Sequence, residues 1–353
     1  MECLYMCPKK CISIKKTLLG HERSSADNDI CIDCSICYKN CPQVAELDIK
    51  RPLEVDAAWV KDRNKRIESS SGGLATAISE FFIKDGGVVY GAAFQQPFDF
   101  SHIRCSSISD LWRLKGSKYV QSKITDIYRQ IAADLNECRK VLFIGTPCQV
   151  AGVKNCFRKK SENLYTIDLI CHGVPSVEIL KKSFSKQVRN IDFDNIFFRN
   201  NNKFFLGFKK NDAIVYSRPL NKDLYLKGFF KGLFYRESCY QCRYTTIERV
   251  GDISLGDFWG VSTDAIKTDV EDGVSLSLVN TEKGRYMMQM TSSQLNIMKR
   301  TIEEALSRNM QLKRPMRKTW RYHVFSKLYP QLGFNWSVRF AIPDVVIKNI
   351  FCK

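Results

Sequence analysis

The stretch KVLFIGTPCQVAGV, Lys140–Val153, decides the fold class. It begins with the apolar run of a buried strand, a Gly-Thr-Pro turn ends that strand, and a helix is predicted from about Gln149. Gly86–Phe94 and Leu164–Cys171 have the same apolar character, and a predicted helix precedes the first and follows the second. Strands that alternate with helices predict an α/β fold with a mostly parallel sheet.

Length and composition describe an ordinary globular chain. It has 353 residues, of which 44% are apolar and 26% are charged, and this excludes disordered, collagen-like and low-complexity proteins. No apolar run reaches the ~18 residues of a membrane span, and the first residues lack the apolar stretch of a signal peptide. We therefore expect a cytoplasmic protein. In such a protein 15 cysteines favour metal binding or redox chemistry over disulfides.

Changes in composition predict four regions. A cysteine-rich module covers residues 1–50, a charged linker 51–68, an α/β domain 69–300 and a basic helical tail 301–353. Within the α/β domain, the aromatic and Asn-rich stretch Ile196–Tyr216 predicts hairpins laid over the sheet, and Lys283–Ser307 predicts a helix.

Residues 31–42, CIDCSICYKNCP, have the C-x2-C-x2-C-x3-C-P spacing of bacterial ferredoxins. Three thiolates on one tight turn bind three corners of a 4Fe-4S cube, and the fourth cysteine of such a run serves the other cluster of a two-cluster ferredoxin. Zinc sites usually divide their ligands into two separated pairs, so zinc is disfavoured. The run predicts a 4Fe-4S cluster on Cys31, Cys34 and Cys37.

A second ferredoxin run is represented by its last two cysteines. Cys3 and Cys7 match these positions, and the first two positions would fall before the first residue. The cross-over rule assigns Cys7 to the cluster of the intact run as its fourth ligand, and it leaves Cys3 and Cys41 for a partner cluster. Cys11 is either a third ligand of the partner cluster or a buried or free thiol.

Four more cysteines stand in turn contexts far apart in the sequence. Cys148 lies in GTPCQ after one predicted strand, Cys171 ends the next, and Cys239 and Cys242 form a C-x2-C pair. Adjacent parallel strands end side by side, so Cys148 and Cys171 are expected to face one site. The C-x2-C pair would complete four ligands there; the alternative is a set of scattered core thiols.

Two short stretches are typical of an anion site. Ser69–Gly73, SSSGG, opens a predicted helix, where small residues let the backbone approach a phosphate and free N–H groups attract it. Lys115–Tyr119, KGSKY, adds positive charge, donors and an aromatic ring. A plain N-cap and a solvated turn remain open as alternatives. The chain has neither a GxGxxG after its first predicted strand nor a GxxxxGK[ST], so Rossmann and P-loop sites have no support.

Three further residues stand in motif-like settings. GDISLGDFWG places Asp252 and Asp257 at the two ends of one short strand, either as turn residues or as the wall of a cofactor site. His172 directly follows Cys171, and it is predicted either as a proton donor near neutral pH or as a hydrogen-bonded structural residue.

The net charge of +18 is concentrated near the C-terminus. Lys299 to the end contains twelve Lys/Arg and three acidic residues. A short helix there would place Lys313, Arg317 and Arg321 on one face. This surface is either merely solvated or suited to an acidic redox partner or an anionic membrane. Nucleic acid is disfavoured because stacking aromatics do not interleave with these charges on one platform.

Taken in order, these motifs resemble the coenzyme F420 hydrogenase/dehydrogenase beta-subunit family. The resemblance covers about residues 1–285 and depends most on GTPCQ, CHGVPS and GDFWG. It implies a ferredoxin-like α+β module fused to an FAD-binding α/β domain. It further implies that FAD phosphate is bound by two groups of residues, namely Ser70, Ser71, Gly72 and Gly73, and Lys115, Gly116, Ser117, Lys118 and Tyr119. The family also makes Cys148, Cys171, Cys239 and Cys242 candidates for a cluster next to the flavin.

The expected function is that of an iron–sulfur flavoprotein oxidoreductase. Ferredoxin or another redox protein would donate electrons to 4Fe-4S clusters and FAD, and an organic acceptor, either deazaflavin F420 or another small molecule, would be reduced. The alternative is a non-enzymatic electron-transfer subunit of a larger complex. A zinc-bearing nucleic-acid binder is a third interpretation.

Overall fold

The computed structural model describes residues 2–46, 48–200, 202–261, 266 and 270–343, which form a mixed α/β fold. The described strands are, in chain order, β1 (Ile12–Lys16), β2 (Glu22–Ala26), β3 (Glu54–Val60), β4 (Val88–Gln95), β5 (Asp99–Cys105), β6 (Val141–Gly145), β7 (Leu164–Leu169), β8 (Asn195–Asn200), β9 (Lys203–Lys210), β10 (Ala213–Pro219), β11 (Ile253–Asp257), β12 (Ser275–Val279) and β13 (Leu295–Lys299).

The described α-helices are α1 (Glu2–Met6), α2 (Ile36–Lys39), α3 (Arg63–Ile67), α4 (Leu74–Lys84), α5 (Ile127–Asn136), α6 (Pro147–Cys156), α7 (Val177–Ser183), α8 (Lys186–Arg189), α9 (Leu224–Phe230), α10 (Glu282–Thr291), α11 (Ile302–Arg308) and α12 (Trp320–Ala341). Short 3-10 segments cover Ile108–Leu114, Arg158–Lys160, Glu237–Gln241, Val270–Asp272, Ser292–Gln294 and Met310–Leu312.

An eight-stranded sheet of order β13-β3-β12-β11-β7-β6-β4-β5 organises the fold. The strands β11, β7, β6 and β4 pair in parallel, as predicted for β7, β6 and β4 from their apolar runs, and the other neighbours pair antiparallel. The sheet is therefore mixed, and the expected mostly parallel sheet is correct only for its centre. The carboxyl ends of β3, β4, β6, β7 and β11 lie at one edge, which we call the carboxyl edge.

The predicted linker 51–68 is wrong as a structural description. Its residues form β3, which is buried along nearly its whole length between β13 and β12, and then α3. The strand EVDAAWV was not predicted because it is short and lies between Pro52 and charged residues. Its pairing with strands far along the chain stabilises it, and no local pattern shows this.

Two smaller sheets lie outside the large one. β1 and β2 form an antiparallel hairpin within the cysteine-rich N-terminal module, where α1 and α2 contact each other. β10, β9 and β8 form the antiparallel hairpins predicted from the Asn-rich stretch. Phe198, Leu206 and Phe208 of these strands enter an aromatic core that also receives α9 and α12.

The C-terminal third departs most from prediction. The predicted helix Lys283–Ser307 is wrong because α10 ends at Thr291 and β13, an edge strand, precedes α11. The predicted face of Lys313, Arg317 and Arg321 is also wrong, since α12 begins at Trp320 and residues 313–319 are not helical. None of the helices in the described part of the chain is long and apolar enough to cross a membrane.

Candidate functional site

Four cysteines converge at the carboxyl edge of the large sheet. Cys148 is the second residue of α6, directly after β6, and Cys171 follows the parallel neighbour β7. Cys239 and Cys242 come from the loop that contains the 3-10 segment Glu237–Gln241. Burial, together with the charges of Cys148 and Cys242, raises the pKa of Cys239 to about 12. These thiols are therefore close enough to act on one another.

The chemistry of this set of thiols fits an iron–sulfur cluster. Burial and then the charges of the other three raise the pKa of Cys171 well above its usual range. Four half-buried thiols would repel each other when ionised, and irons bound between them would offset that repulsion. In the residues that the structure describes, no three His, Cys, Asp or Glu side chains are grouped to hold a single metal ion. Each thiolate of a 4Fe-4S cluster binds a different iron, so its ligands are spread more widely than those of one ion.

A buried ion pair holds the C-x2-C loop against this edge. The guanidinium of Arg249 and the carboxylate of Asp168, a residue of β7, are both almost fully buried. Arg249 Nε donates to Asp168 Oδ1 at 3.1 Å, and Arg249 Nη1 donates to the carbonyl of Tyr244 at 2.8 Å. The N–H of Gly251 donates to the second carboxylate oxygen at 2.8 Å. Arg249 therefore fixes the loop to the strand that precedes Cys171.

The N-terminal module brings its cysteines together in two groups. The Sγ atoms of Cys7 and Cys11 lie 3.4 Å apart, and the charges of both Cys7 and Cys31 raise the pKa of Cys11. Asp33 and Ser35 have positive φ values of 50° and 58°, so the chain winds tightly through the intact run. Cys34 is exposed and Cys37 is half-buried in this turn.

The neighbours of Cys11 bear on its two predicted roles. Cys3 lies near Cys41, whose charge contributes to raising the pKa of the Cys3 thiol after burial and Glu2. Cys11 lies beside Cys7 and Cys31 instead. These neighbours favour the alternative for Cys11, a buried thiol, which also fits its 7% exposure.

The two predicted anion-binding stretches contact each other. The N–H of Ser117 donates to Ser70 Oγ at 2.8 Å, although 47 residues separate them. Lys115 Nζ pairs with Glu68 at 2.8 Å. Lys118 Nζ donates to the carbonyls of Arg113, Leu114 and Lys115, and burial lowers the pKa of this ammonium group to about 7. The lysine charges thus stabilise the turn itself.

Gly72 is required for packing against β3. A Cβ at this position would lie 2.3 Å from the carbonyl oxygen of Ala58, and the N–H of Gly72 already donates to Ser275 Oγ at 2.9 Å. Ser71 Oγ likewise donates to the carbonyl of Val274 at 3.0 Å. Gly73, with a φ of 87°, is the N-cap of α4 and provides no side-chain cap. The first turn of the eleven-residue helix α4 is therefore the part of this loop that suits an anion.

The hydrogen bonds around His172 define its tautomer. Tyr235 Oη donates its proton to the carbonyl of Phe229 at 2.5 Å, so it accepts from His172 Nδ1 at 2.9 Å. Nδ1 is therefore protonated, and Nε2 keeps the lone pair. Burial lowers the pKa of His172 to about 4. The ring is hydrogen-bonded, as one of the two predicted alternatives has it, and it is neutral at pH 7, so it offers a proton acceptor and not the donor of the other alternative.

Arg199 connects the GDFWG motif to the KGSKY turn. Its guanidinium pairs with Asp257 at 2.8 Å, contacts Tyr119 Oη at 3.3 Å and lies 4.4 Å from the ring centre of Phe204. Tyr119 stacks on Phe229 at 4.9 Å, and His172 packs on that ring at 5.6 Å. The two stretches and the histidine therefore share one aromatic site.

Asp252 takes no part in this site. Its carboxylate accepts from the N–H and the hydroxyl of Thr166 at 2.8 and 2.7 Å, at the opposite end of β11. Arg199, Phe229, Tyr235 and Arg249 are site residues that sequence reasoning missed. None of the four belongs to a sequence motif with a recognisable spacing. Arg249 and Arg199 are identified in the structure by their contacts with a buried and a half-buried carboxylate.

Two cavities lie outside the aromatic site of Tyr119, His172 and Phe229. One of about 460 Å³ lies between the N-terminal module and the amino ends of the strands, and Tyr244, Asp252 and Lys283 are among its lining residues. The other, of about 230 Å³, borders the first turn of α4 through Gly73 and Thr76. Neither is lined by the KGSKY turn.

The arrangement of GTPCQ, CHGVPS, C-x2-C and GDFWG around one edge matches a known family. Residues 138–305 match the sequence model for the C-terminal region of the beta subunit of coenzyme F420 hydrogenase/dehydrogenase. The match covers just under half of the chain, and over that segment the protein is similar to this beta-subunit family. The matched segment contains all four converging cysteines, His172 and Asp257.

A solved structure has a similar fold. It is a chain of the F420-reducing [NiFe] hydrogenase complex from Methanosarcina barkeri, studied by xenon derivatization. The two chains are 17% identical with a TM-score of 0.52, and the match covers 74% of this chain and 88% of that one. No curated protein matches this chain. At such low identity the structural match supports the fold alone.

Proposed function

We propose that this chain is an FAD- and 4Fe-4S-dependent oxidoreductase. It takes electrons from ferredoxin or a similar redox protein and reduces a small organic acceptor, either deazaflavin F420 or another molecule. The observation that carries the proposal is the convergence of four half-buried thiols beside an aromatic site at the carboxyl edge. When bound, the clusters would carry single electrons, and FAD would deliver them in pairs.

The inner thiols would hold one 4Fe-4S cluster. Cys148 stands at the start of α6, and Thr146 Oγ1 lies 3.3 Å from its sulfur. Cys171 follows the neighbouring strand, and the Arg249–Asp168 pair orients the loop of Cys239 and Cys242.

The N-terminal module would hold the entry cluster on Cys7, Cys31, Cys34 and Cys37. This assignment depends on the intact run and the cross-over rule, and the proximity of Cys7 to Cys11, and of Cys11 to Cys31, supports it. Cys3 and Cys41 are neighbours and would provide half of a partner cluster.

The phosphates of FAD would be bound at the first turn of α4. Backbone N–H groups there and the dipole of an eleven-residue helix attract an anion. Ser70, Ser71, Gly72 and Gly73 shape the approach, and the turn of Lys115, Gly116, Ser117, Lys118 and Tyr119 is held against them through the Ser117–Ser70 bond.

His172 would hold or accept a proton at Nε2. The hydrogen bond from Nδ1 to Tyr235 keeps the ring in one orientation and one tautomer. A neutral imidazole with a lone pair suits transfer to or from a bound acceptor.

The test is an anaerobic preparation of the parent and two cysteine variants, analysed for iron, sulfide and flavin. Cys239→Ser is expected to lose about four irons per chain. Cys138→Ser, an exposed thiol outside every motif, is the matched control and should retain them. Parent protein that contains zinc and neither sulfide nor flavin would reject the proposal.

A non-enzymatic electron-transfer subunit is the second candidate. The match of residues 138–305 to the model of a hydrogenase/dehydrogenase subunit favours it. Reduced ferredoxin distinguishes the two candidates: an enzyme oxidises it continuously when a suitable small acceptor is present, whereas a subunit accepts a fixed number of electrons and stops.

A further inference from the structure

The last described helix, α12, folds back on itself. Gly333 has φ 67° and ψ −174° inside it, three residues after Pro330, and this kink divides it into two arms. Arg321, near the start of the first arm, donates from Nη1 to the carbonyl of Ala341, at the end of the second arm, at 3.0 Å. The two ends of α12 therefore lie side by side.

One side of this hairpin packs on the protein. Phe325, Tyr329, Phe334 and Val338 are at most 5% exposed and belong to the aromatic core that covers the three-stranded sheet. The fold of the hairpin therefore does not depend on its outer side chains.

The outer side presents three large rings to solvent. Trp320, Trp336 and Phe340 are 55%, 57% and 55% exposed, and we call them the aromatic patch. The ring centres of Trp336 and Phe340, which are one helical turn apart, are separated by 6.4 Å. The guanidinium of Arg321 lies 4.6 Å from the ring centre of Trp320, and that of Arg339 lies 5.3 Å from the ring centre of Trp336.

The segment of sequence that contains the aromatic patch has only positive charges of its own, and one of them, Lys318, pairs with Glu237 from elsewhere in the chain. Between Glu304 and Asp344 the sequence contains eight Lys/Arg and no acidic residue. Lys313, Arg314 and Arg317 in the segment before α12 are exposed. Exposed tryptophan and phenylalanine beside arginine are the side chains that lie at the interface of a bilayer, where rings enter the headgroup region and cations meet lipid phosphates.

We propose that the aromatic patch binds the surface of a membrane that contains anionic phospholipid. Charge complementarity selects an anionic surface. A bilayer accepts exposed rings without providing a shaped pocket for each, whereas an acidic protein would need one for every ring. In this arrangement α12 lies on the membrane surface. None of the helices in the described residues is long and apolar enough to cross a membrane. The inference is independent of the cofactors proposed above.

Vesicle co-sedimentation of the full chain tests the proposal. The parent should pellet with vesicles of phosphatidylcholine that contain about 30% phosphatidylglycerol and bind at least about tenfold less to phosphatidylcholine alone. Trp336→Ser/Phe340→Ser should weaken anionic binding about tenfold or more. Trp112→Ser, which removes an equally exposed ring (58%) far along the chain, should bind as the parent does.

Three results would overturn the assignment. The first is a parent that ignores anionic vesicles. The second is a double variant that binds them as tightly as the parent while showing the same thermal unfolding. The third is a parent that binds an acidic ferredoxin through Trp336 and Phe340 but not the vesicles, which would make the aromatic patch a protein-docking surface.

Discussion

His172 is held neutral by its neighbours, and this can be observed without any cofactor. Burial lowers its pKa to about 4, and Tyr235 accepts from Nδ1. We expect ¹⁵N spectra of labelled histidines to show the Nδ1–H tautomer for His172 with no titration between pH 8 and 5. In Tyr235→Phe, Nδ1–H loses its acceptor, and the tautomers should mix. A midpoint near the ordinary histidine value in the parent would contradict the assignment.

His102 should make folding stability depend on pH. Its ring lies between Ser122 Oγ at 3.0 Å and the carbonyl of Ile144 at 2.9 Å, and burial lowers its pKa from 6.5 to about 4. Between these values the unfolded chain binds the proton and the folded chain does not. Stability is therefore complete above pH 6.5 and is lost as the pH falls towards 4, by at most about 1.4 kcal/mol per pKa unit.

Urea unfolding at several pH values measures this dependence. His102→Gln removes one titrating group, so the slope of unfolding free energy against pH should become shallower between 6.5 and 4. The slope should not vanish, because burial also lowers the pKa values of His21 and His172 to about 4. An unchanged slope would show that His102 does not contribute.

At the scale of elements, the Arg249–Asp168 pair connects a loop to a strand. Arg249→Met leaves the carboxylate of Asp168 buried without its cation, which is expected to cost about 3–5 kcal/mol. The loop of Cys239 and Cys242 should then lose its orientation, and iron at the inner site should fall. The exposed pair of Lys210 and Asp192 provides the control, since Lys210→Met should cost under about 1 kcal/mol. Equal effects of both variants on stability and iron would disprove the role.

The loop before α4 gives a second element-scale test. Gly72→Ala places a methyl group 2.3 Å from the carbonyl oxygen of Ala58, so it should destabilise the flavin-free protein by about 1–3 kcal/mol. Ser70→Ala removes the acceptor of the Ser117 N–H and should cost about 1 kcal/mol. Melting temperatures of the flavin-free proteins compare them. If Gly72→Ala were as stable as the parent and lost only flavin, the glycine would serve the phosphate and not the strand.

For the whole molecule, the predictable part of the fold is the part with local signals. The apolar runs of β4, β6 and β7 identified the parallel centre, and the rule that adjacent parallel strands end side by side placed Cys148 near Cys171. β3 and β13 were missed because both depend on pairing with strands far along the chain. Arg249 and Asp168 are 81 residues apart, so no local sequence pattern predicts their contact.

The packing of the two cysteine regions leads to a prediction about iron content. Tyr244 stands between them: its hydroxyl donates to the carbonyl of Pro42, and the charges of Cys148, Cys242 and Cys41 act on its pKa, which burial raises above its usual range. The regions are therefore neighbours, but their thiols belong to different elements. Cys34→Ser and Cys239→Ser should each remove about four irons, and the double variant should lose the sum of the two.

Non-additive losses would reveal one shared site. If Cys34→Ser alone removed all iron while its unfolding transition matched that of the parent, the inner thiols would not hold a cluster of their own. Cys138→Ser, treated in parallel, reports losses caused by handling, because that exposed thiol lies outside both regions. Additive losses would mean that two neighbouring but separate sets of cysteines hold the clusters. This is expected because the ends of two sheet strands and a distant loop provide one set, whereas a single tight turn provides most of the other.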